Sequence, residues 1–353
     1  MQQTIVPGVA TWSRWQPDRN LFFNSWFVEG AAGNFVVDPL DADDAVLAHI
    51  AGRGLAAVVL TNRDHERAAG ALSARFGVPV WAPARDAGEI TVGVDKRFDD
   101  GDDVFGWRAV RFAGMKTAGE SALFRASDRT AITGDAFWGA PAGALTLMAD
   151  DKLADPHAAA LSTRRLLALN VQHLLVGDGA PVFHRAWEAL VAMLEARSGV
   201  LFRRVNVDEL EYEERKVPAG VGKMRAEISW FLGVRRLGYA AARLEPGEHS
   251  PTLHGHSLEE ELVYVVSGTP TIQTPGGRFV LRPGDLVALP TGPAGAHKFF
   301  NESTAPCTWI VFANVAEGDS AFYPDSRKLL VDRYGINKMV RDNPELGYYD
   351  GES

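Results

Sequence analysis

Cysteine is almost missing from this chain: there is one, Cys307, in 353 residues. That excludes an internal disulfide framework and suits a reducing compartment. Cys307 lies in the apolar run Cys307-Thr308-Trp309-Ile310-Val311-Phe312, where a small buried hydrophobe is the expected role. Basic surplus is missing too. The net charge is −9, which argues against a nucleic-acid partner or an anionic membrane surface. No uncharged apolar run is long enough to span a bilayer, and Met1 to Ser13 has no basic region followed by an apolar core. A cytoplasmic protein is therefore expected, with a small molecule as its partner and homo-oligomerisation left open. Internal repeats and low-complexity segments are absent as well.

What is present points to two domains. The length exceeds what one hydrophobic core usually organises, and a hydrophobic fraction of 46% is ordinary for globular protein. The most informative stretch runs from His254 to Gly268. His254 and His256 are two apart, so on a strand they share a face. Glu261 heads the run Glu261-Leu262-Val263-Tyr264-Val265-Val266, able to face the same way from a neighbouring strand. Further on, Gly284, Pro290, Gly292, His297 and Asn301 form a second group. Short strands with turn signals surround both, at Leu237 to Leu244, Thr269 to Thr274, Phe279 to Leu281, Leu286 to Leu289 and Thr308 to Asn314. Pro275-Gly276-Gly277 is the clearest hairpin turn. Phe322, Tyr323, Tyr334, Tyr348 and Tyr349 make the tail too aromatic to be free.

Together the two groups resemble the signature motifs of the cupin superfamily. The spacing differs in two places: the interval from Gly247 to His254 is one residue longer than the family's, and Pro293 to Ala296 places four residues where the family usually has two. The insertion leaves open how far His297 reaches. The resemblance implies an all-β jelly-roll barrel with His254, His256, Glu261 and His297 as metal ligands. Three imidazoles and a carboxylate suit one divalent first-row transition metal (Fe, Mn, Ni, Cu or Zn) and are too nitrogen-rich for Ca or Mg. A metal-free barrel keeping its histidines as satisfied polar core is the competing reading. Glu259 shares parity with Glu261 and is the candidate proton carrier. His249 reads as a surface residue and Tyr264 as packing.

Residues 1–200 alternate strands and helices. Trp26 to Val28 and Phe35 to Asp38 pair across Gly30 to Gly33. Asp41 is placed to cap a helix to Ile50, and Gly77 closes a second helix. The segment is similar to the metallo-β-lactamase fold, an α/β four-layer domain whose landmarks are a strand ending in Asp, T-H-x-H-x-D-H-x-G-G, G-H-T-x-G, T-G-D and a late G-H-G. Here the first ligand motif reads Thr61-Asn62-Arg63-Asp64-His65-Glu66-Arg67, and Lys116 replaces the histidine before Thr117. Thr133-Gly134-Asp135 is kept, and Gly177-Asp178-Gly179 replaces the last motif. A fixed ammonium or guanidinium repels a divalent cation. The expectation is that Lys116 and Arg67 occupy the space the metals left, compensated by Asp64, Asp135 and Asp178, so that Lys116→Met destabilises by roughly 3 kcal/mol. Such a domain is either scaffold alone or a metal-free cleft for an anion or for acid/base chemistry, with Lys116 and His65 as first suspects.

A charged, Pro/Gly-bearing stretch at 201–224 reads as a linker or strap, and 225–353 as the cupin domain. Two functions stay open: a metal-dependent cupin enzyme on a small oxygenated metabolite, an oxygenase ahead of a decarboxylase or isomerase, or a ligand-binding regulatory module.

Overall fold

The computed structural model describes residues 1–197, 199–333 and 336–341. The chain divides into two units, Met1–Arg204 and Val205–Ser353. Most of the expected linker, including its acidic and basic run, belongs to the second unit. Ser198, Tyr334, Tyr348 and Tyr349 lie outside the described residues.

The first unit is built on one long sheet. Phe35–Val37, Ala57–Val59, Val80–Pro83 and Lys96–Phe98 run parallel. The two helices Asp44–Arg53 and Ala69–Phe76 alternate with three of these strands. Leu21–Val28 joins this half to a second half formed by His173–Gly179, Thr130–Gly139, Ser121–Arg125 and Trp107–Arg111. Period-two alternation explains the layering. Val37 and Val59 share a buried cluster with Leu123, Ile132 and Leu175 of the other half, so the sheet is folded face to face on itself. Their neighbours Val36 and Val58 instead meet Val46, Ile50 and Leu72 of the helices. On the far side Leu174 and Val176 pack on the helices Pro156–Ser162, Arg164–Ala168 and Ala186–Glu195. Helix, sheet, sheet, helix is the four-layer α/β arrangement.

Local chemistry sets the boundaries. The first helix is capped by Asp43, whose carboxylate accepts from the Val46 amide at 2.8 Å. Asp41, the expected cap, instead pairs with Arg14. Gly77 closes the second helix at a φ of +65°, a conformation that favours glycine. After Asp155, the helical stretch is divided at Thr163 into Pro156–Ser162 and Arg164–Ala168.

The second unit is a β barrel. Its larger sheet runs Glu213–Glu214, Met224–Glu227, Leu237–Leu244, Cys307–Asn314, Glu261–Ser267 and Leu286–Leu289. A smaller one pairs Gly277–Val280, Thr271–Thr274 and Lys298–Phe300. The turn between Thr274 and Gly277 is the expected hairpin. Inside lies a core of Leu244, Val263, Val265, Ile272, Phe299, Cys307 and Trp309. Tyr264 is 39% exposed and stands on the outer face, opposite Ile310 and Leu286, not in the barrel core. The tail is no appendage: Ser320–Tyr323 pairs with the His256 strand, with Gly255 opposite Phe322, and Lys328–Arg333 and Ile336–Arg341 extend that sheet. No helix among the described residues is long and apolar enough to cross a membrane.

Candidate functional site

Four side chains converge in the barrel. His254 and His297 sit opposite each other across a reciprocal backbone pair, His254 N to His297 O at 3.2 Å and the return at 2.8 Å. Their rings are 4.6 Å apart between centroids. The extra residues before His297 fold into one 3-10 turn, Pro293–Gly295. A Cβ on Gly295 would lie 1.7 Å from the Pro290 carbonyl oxygen, so only glycine lets the loop close this tightly. Gly255, between the two leading histidines, is equally constrained, since a Cβ there would meet the Phe322 ring at 2.5 Å. Ligand atoms of His254, His256 and Glu261 lie within 4.8 Å of one another. His297 Nε2 is 3.4 Å from Glu261 Oε2. Asn301, the last residue of the second motif, ties Leu244 and Ala305 carbonyls at 2.9 Å each, a structural role.

The imidazoles share one more feature. His254 Nδ1 lies 3.1 Å from the Thr252 carbonyl, His297 Nδ1 3.0 Å from the Gly295 carbonyl and His256 Nδ1 2.7 Å from Asp319 Oδ2. An oxygen acceptor at Nδ1 fixes the proton there and leaves Nε2 with a free lone pair. Burial, and next the neighbouring His297, push His254 down to about 4. Burial likewise lowers His297. Both are therefore neutral at pH 7, as metal ligation demands. The residues fit a divalent metal of the kind expected.

Asp319 escaped the sequence reading. Its second oxygen receives the Leu258 amide at 2.7 Å and the Ser257 hydroxyl at 3.1 Å, and against the upward push of burial these bonds and His256 hold it below the usual carboxylate range. Sixty-odd residues separate it from His256, so no local spacing announces it. Glu259 lines the same cavity. Its Oε1 accepts the Ala316 amide at 3.1 Å and its Oε2 lies 3.9 Å from His256 Nδ1. Burial raises its pKa, with Asp319 adding to the rise. His249 is half-buried rather than on the surface, its Nδ1 2.7 Å from the Ser250 carbonyl.

In the first unit the degenerate motifs also converge, though not as a single network. Lys116 does pair with Asp64, but that pair is 43% and 32% exposed. An exposed pair contributes little, so Lys116→Met is expected to change stability by no more than about 1 kcal/mol rather than 3. The buried centre is His65. Its Nδ1 lies 2.8 Å from Asp38 Oδ2 and its Nε2 3.1 Å from Asp135 Oδ1. Arg67 reaches Asp178 at 3.3 Å and comes within 3.0 Å of His65 Nε2. Asn62 bridges, giving a hydrogen bond to Glu120 at 2.8 Å and accepting one from the His65 amide at 3.0 Å.

Two glycines make room for this. A Cβ on Gly134 would lie 2.2 Å from Thr61 Oγ1, and one on Gly177 would lie 2.7 Å from His65 Cε1. Burial and Arg67 push the His65 pKa down, yet Asp38 and Asp135 outweigh them and raise it to about 10. Asp135, despite burial, is held at about 2 by His65. Burial and the charge of Asp135 raise Asp178, more than Arg67 and His65 lower it. Glu120 is driven well above the usual range by burial first. His65, Asp135 and Asp178 come within 4.8 Å of one another, but the Arg67 guanidinium stands against two of the three. Asp38 and Glu120 were missed as site residues. The signal for Asp38 was the strand ending in Asp.

Comparison with known proteins agrees with this division. The model of the metallo-beta-lactamase superfamily matches residues 1–196 and that of the cupin domain residues 241–313. No curated protein matches the chain. Among solved structures, a sugar phosphate isomerase from a cupin superfamily of Silicibacter pomeroyi is 25% identical, over 42% of this chain and 98% of its own, with a TM-score of 0.37. A metallo-beta-lactamase from Pontibacter korlensis is 16% identical, over 55% of this chain and 98% of its own, at 0.45. A metallo-beta-lactamase family protein from Thermus thermophilus is 16% identical, over 54% and 80%, at 0.41. With more than half of its length in the first match, the chain belongs to the metallo-beta-lactamase superfamily, and it carries a cupin domain behind that first unit.

Proposed function

We propose that the barrel is a metal-dependent catalytic centre acting on a small oxygenated metabolite, an oxygenase in its finer form, and that the first unit is a metal-free scaffold. One observation carries the reading: three histidines anchored through Nδ1 leave their Nε2 atoms free beside the Glu261 carboxylate. When bound, a redox-active first-row metal supplies Lewis-acid polarisation and a route for O₂ chemistry. His254, His256, His297 and Glu261 would hold it. Asp319 keeps His256 in the right tautomer, a positioning role. Glu259, lining the cavity with a raised pKa, is the group suited to move a proton at the substrate. Phe299, Trp309 and Val311 give the same cavity an apolar wall.

His256→Ala should leave the full chain without stoichiometric metal and without turnover. Metal retained after His254, His256 and His297 are all replaced by Ala would point to His65, Asp135 and Asp178 and sink the scaffold reading. Asp319→Asn should weaken metal binding by about 10- to 100-fold. Glu259→Gln should keep the metal and lower kcat by about 10²-fold or more. Apo protein reloaded with Fe(II), Mn, Ni, Cu or Zn and offered diketones, catechols and hydroxy acids should consume O₂ with one of them. Conversion without O₂ uptake would replace the oxygenase by a decarboxylase or isomerase. Tight binding with no conversion under any metal would make the barrel a sensor.

A further inference from the structure

Charged side chains along the barrel cavity are nearly all engaged. Lys223 pairs with Glu214, and Arg243 with Glu245 at 2.9 Å. Glu227 Oε1 accepts the Ser229 amide at 3.1 Å. Arg225 and Arg215 differ, for among the described residues neither guanidinium makes a hydrogen bond or an ion pair, although both line the cavity.

Strand register shows where Arg225 faces. It lies opposite Ala242, Ala242 opposite Trp309, and Trp309 opposite Val265. Cross-strand partners share a face, and Trp309 and Val265 are barrel core, so Arg225 stands on the inner face, at the solvent-reached end of that row. Glu261 lies on the same face, opposite Ala313. Burial is the first cause of a lowered Arg225 pKa, and Arg215 adds to it while Glu227 and Glu261 oppose it. A guanidinium stays charged regardless. The two cations stand side by side, exposed to solvent, on the wall of a cavity of about 360 Å³, with Glu227 and Glu261 near Arg225 but, among the described residues, no carboxylate paired to either guanidinium, so an anion between them relieves their repulsion.

We infer that the barrel takes an oxyanionic substrate, whose carboxylate or phosphate at the end remote from the histidine cluster is held by Arg225 with Arg215 beside it. This rests on the metal-centre reading above and narrows its substrate class. A planar guanidinium fork matches either oxyanion through two parallel hydrogen bonds, which an ammonium cannot reproduce. The opposite end of the substrate carries the oxygens that face His254, His256, His297 and Glu261.

Zinc is redox-silent, so the zinc-loaded full chain can be titrated calorimetrically without turnover. Lactate offers a chelating hydroxy acid alone, malate adds a distal carboxylate, and 3-phosphoglycerate adds a distal phosphate. Malate or 3-phosphoglycerate should bind at least tenfold tighter than lactate, and the tighter of the two identifies the oxyanion. Arg225→Met should reduce that affinity to the lactate level with zinc content and lactate binding unchanged, and Arg225→Lys should restore only part. Equal affinity for all three, no binding by any, or a preference that survives both substitutions overturns the inference. Zinc that fails to load, or lactate that binds zinc-free and loaded protein alike, overturns the metal-centre reading and this one with it.

Discussion

Replacing Arg67 by methionine should lower the unfolding free energy by about 3–5 kcal/mol, the range for breaking a buried ion pair from one side. The side chains of Arg67 and Asp178 are 13% and 2% exposed, so solvent cannot take over the role of the lost cation. Arg67 also donates to the Asn24 and Asp38 carbonyls at 3.0 and 3.3 Å, and both bonds go with it, although the Asp38 carbonyl keeps the Ser25 hydroxyl at 2.9 Å. Asp178 already has a raised pKa with Arg67 present, and without Arg67 its ionised form becomes harder still to keep. Denaturant unfolding of Arg67→Met beside Lys116→Met separates the two cations. If both variants lose equal stability, the buried pair has no special weight and the division of the network described above is wrong.

That division shows where the sequence was legible. Strand positions in the barrel follow from alternating apolar residues and turn glycines, and Leu237–Leu244 and Leu286–Leu289 fall where the pattern puts them. The four metal-capable side chains were legible because two motifs fix their spacing, and the inserted loop before His297 closes on itself as a turn. Asp319 and Arg225 were not, since each acts across strands far apart in the chain and no spacing rule reaches that far. In the first unit the replaced ligands and the compensating carboxylates Asp64, Asp135 and Asp178 were visible residue by residue, but which cation takes which carboxylate, and which pair is buried, was not. By residue type alone, Lys116 and Arg67 have equal standing as cations. Burial decides between them, because one pair faces solvent and the other does not. His65 stood beside Lys116 as a first suspect, but its central place was not legible: it occupies a position between the family's ligands, and only the approach of Asp38, Gly134 and Gly177 makes it the centre.

His65 should make the stability of the protein depend on pH in a definite direction. Its pKa is raised from 6.5 to about 10 in the folded chain, so the folded state binds the proton more tightly than the unfolded state. The resulting stabilisation is complete below about pH 6.5 and is lost as pH rises through 10. At about 1.4 kcal/mol for each pKa unit, the loss is on the order of 5 kcal/mol. Asp135, held at about 2, is the other half of the same interaction and sets the acid flank: its stabilisation is present above the ordinary carboxylate pKa and disappears as pH falls through 2. Glu120, raised by burial, adds a loss of the same sign that begins above the ordinary carboxylate pKa, so the His65 share is read by difference. Unfolding free energy measured from pH 6 to 10 should fall steeply in the native sequence and less so in His65→Gln. Ring carbon shifts in an NMR titration give the direct check, since the His65 imidazole should keep its protonated signature to about pH 9 while His254 and His297 are neutral at pH 7. A midpoint near 6.5 for His65 would mean that Asp38 and Asp135 do not hold it as a cation, and the alkaline loss would then have to come from elsewhere.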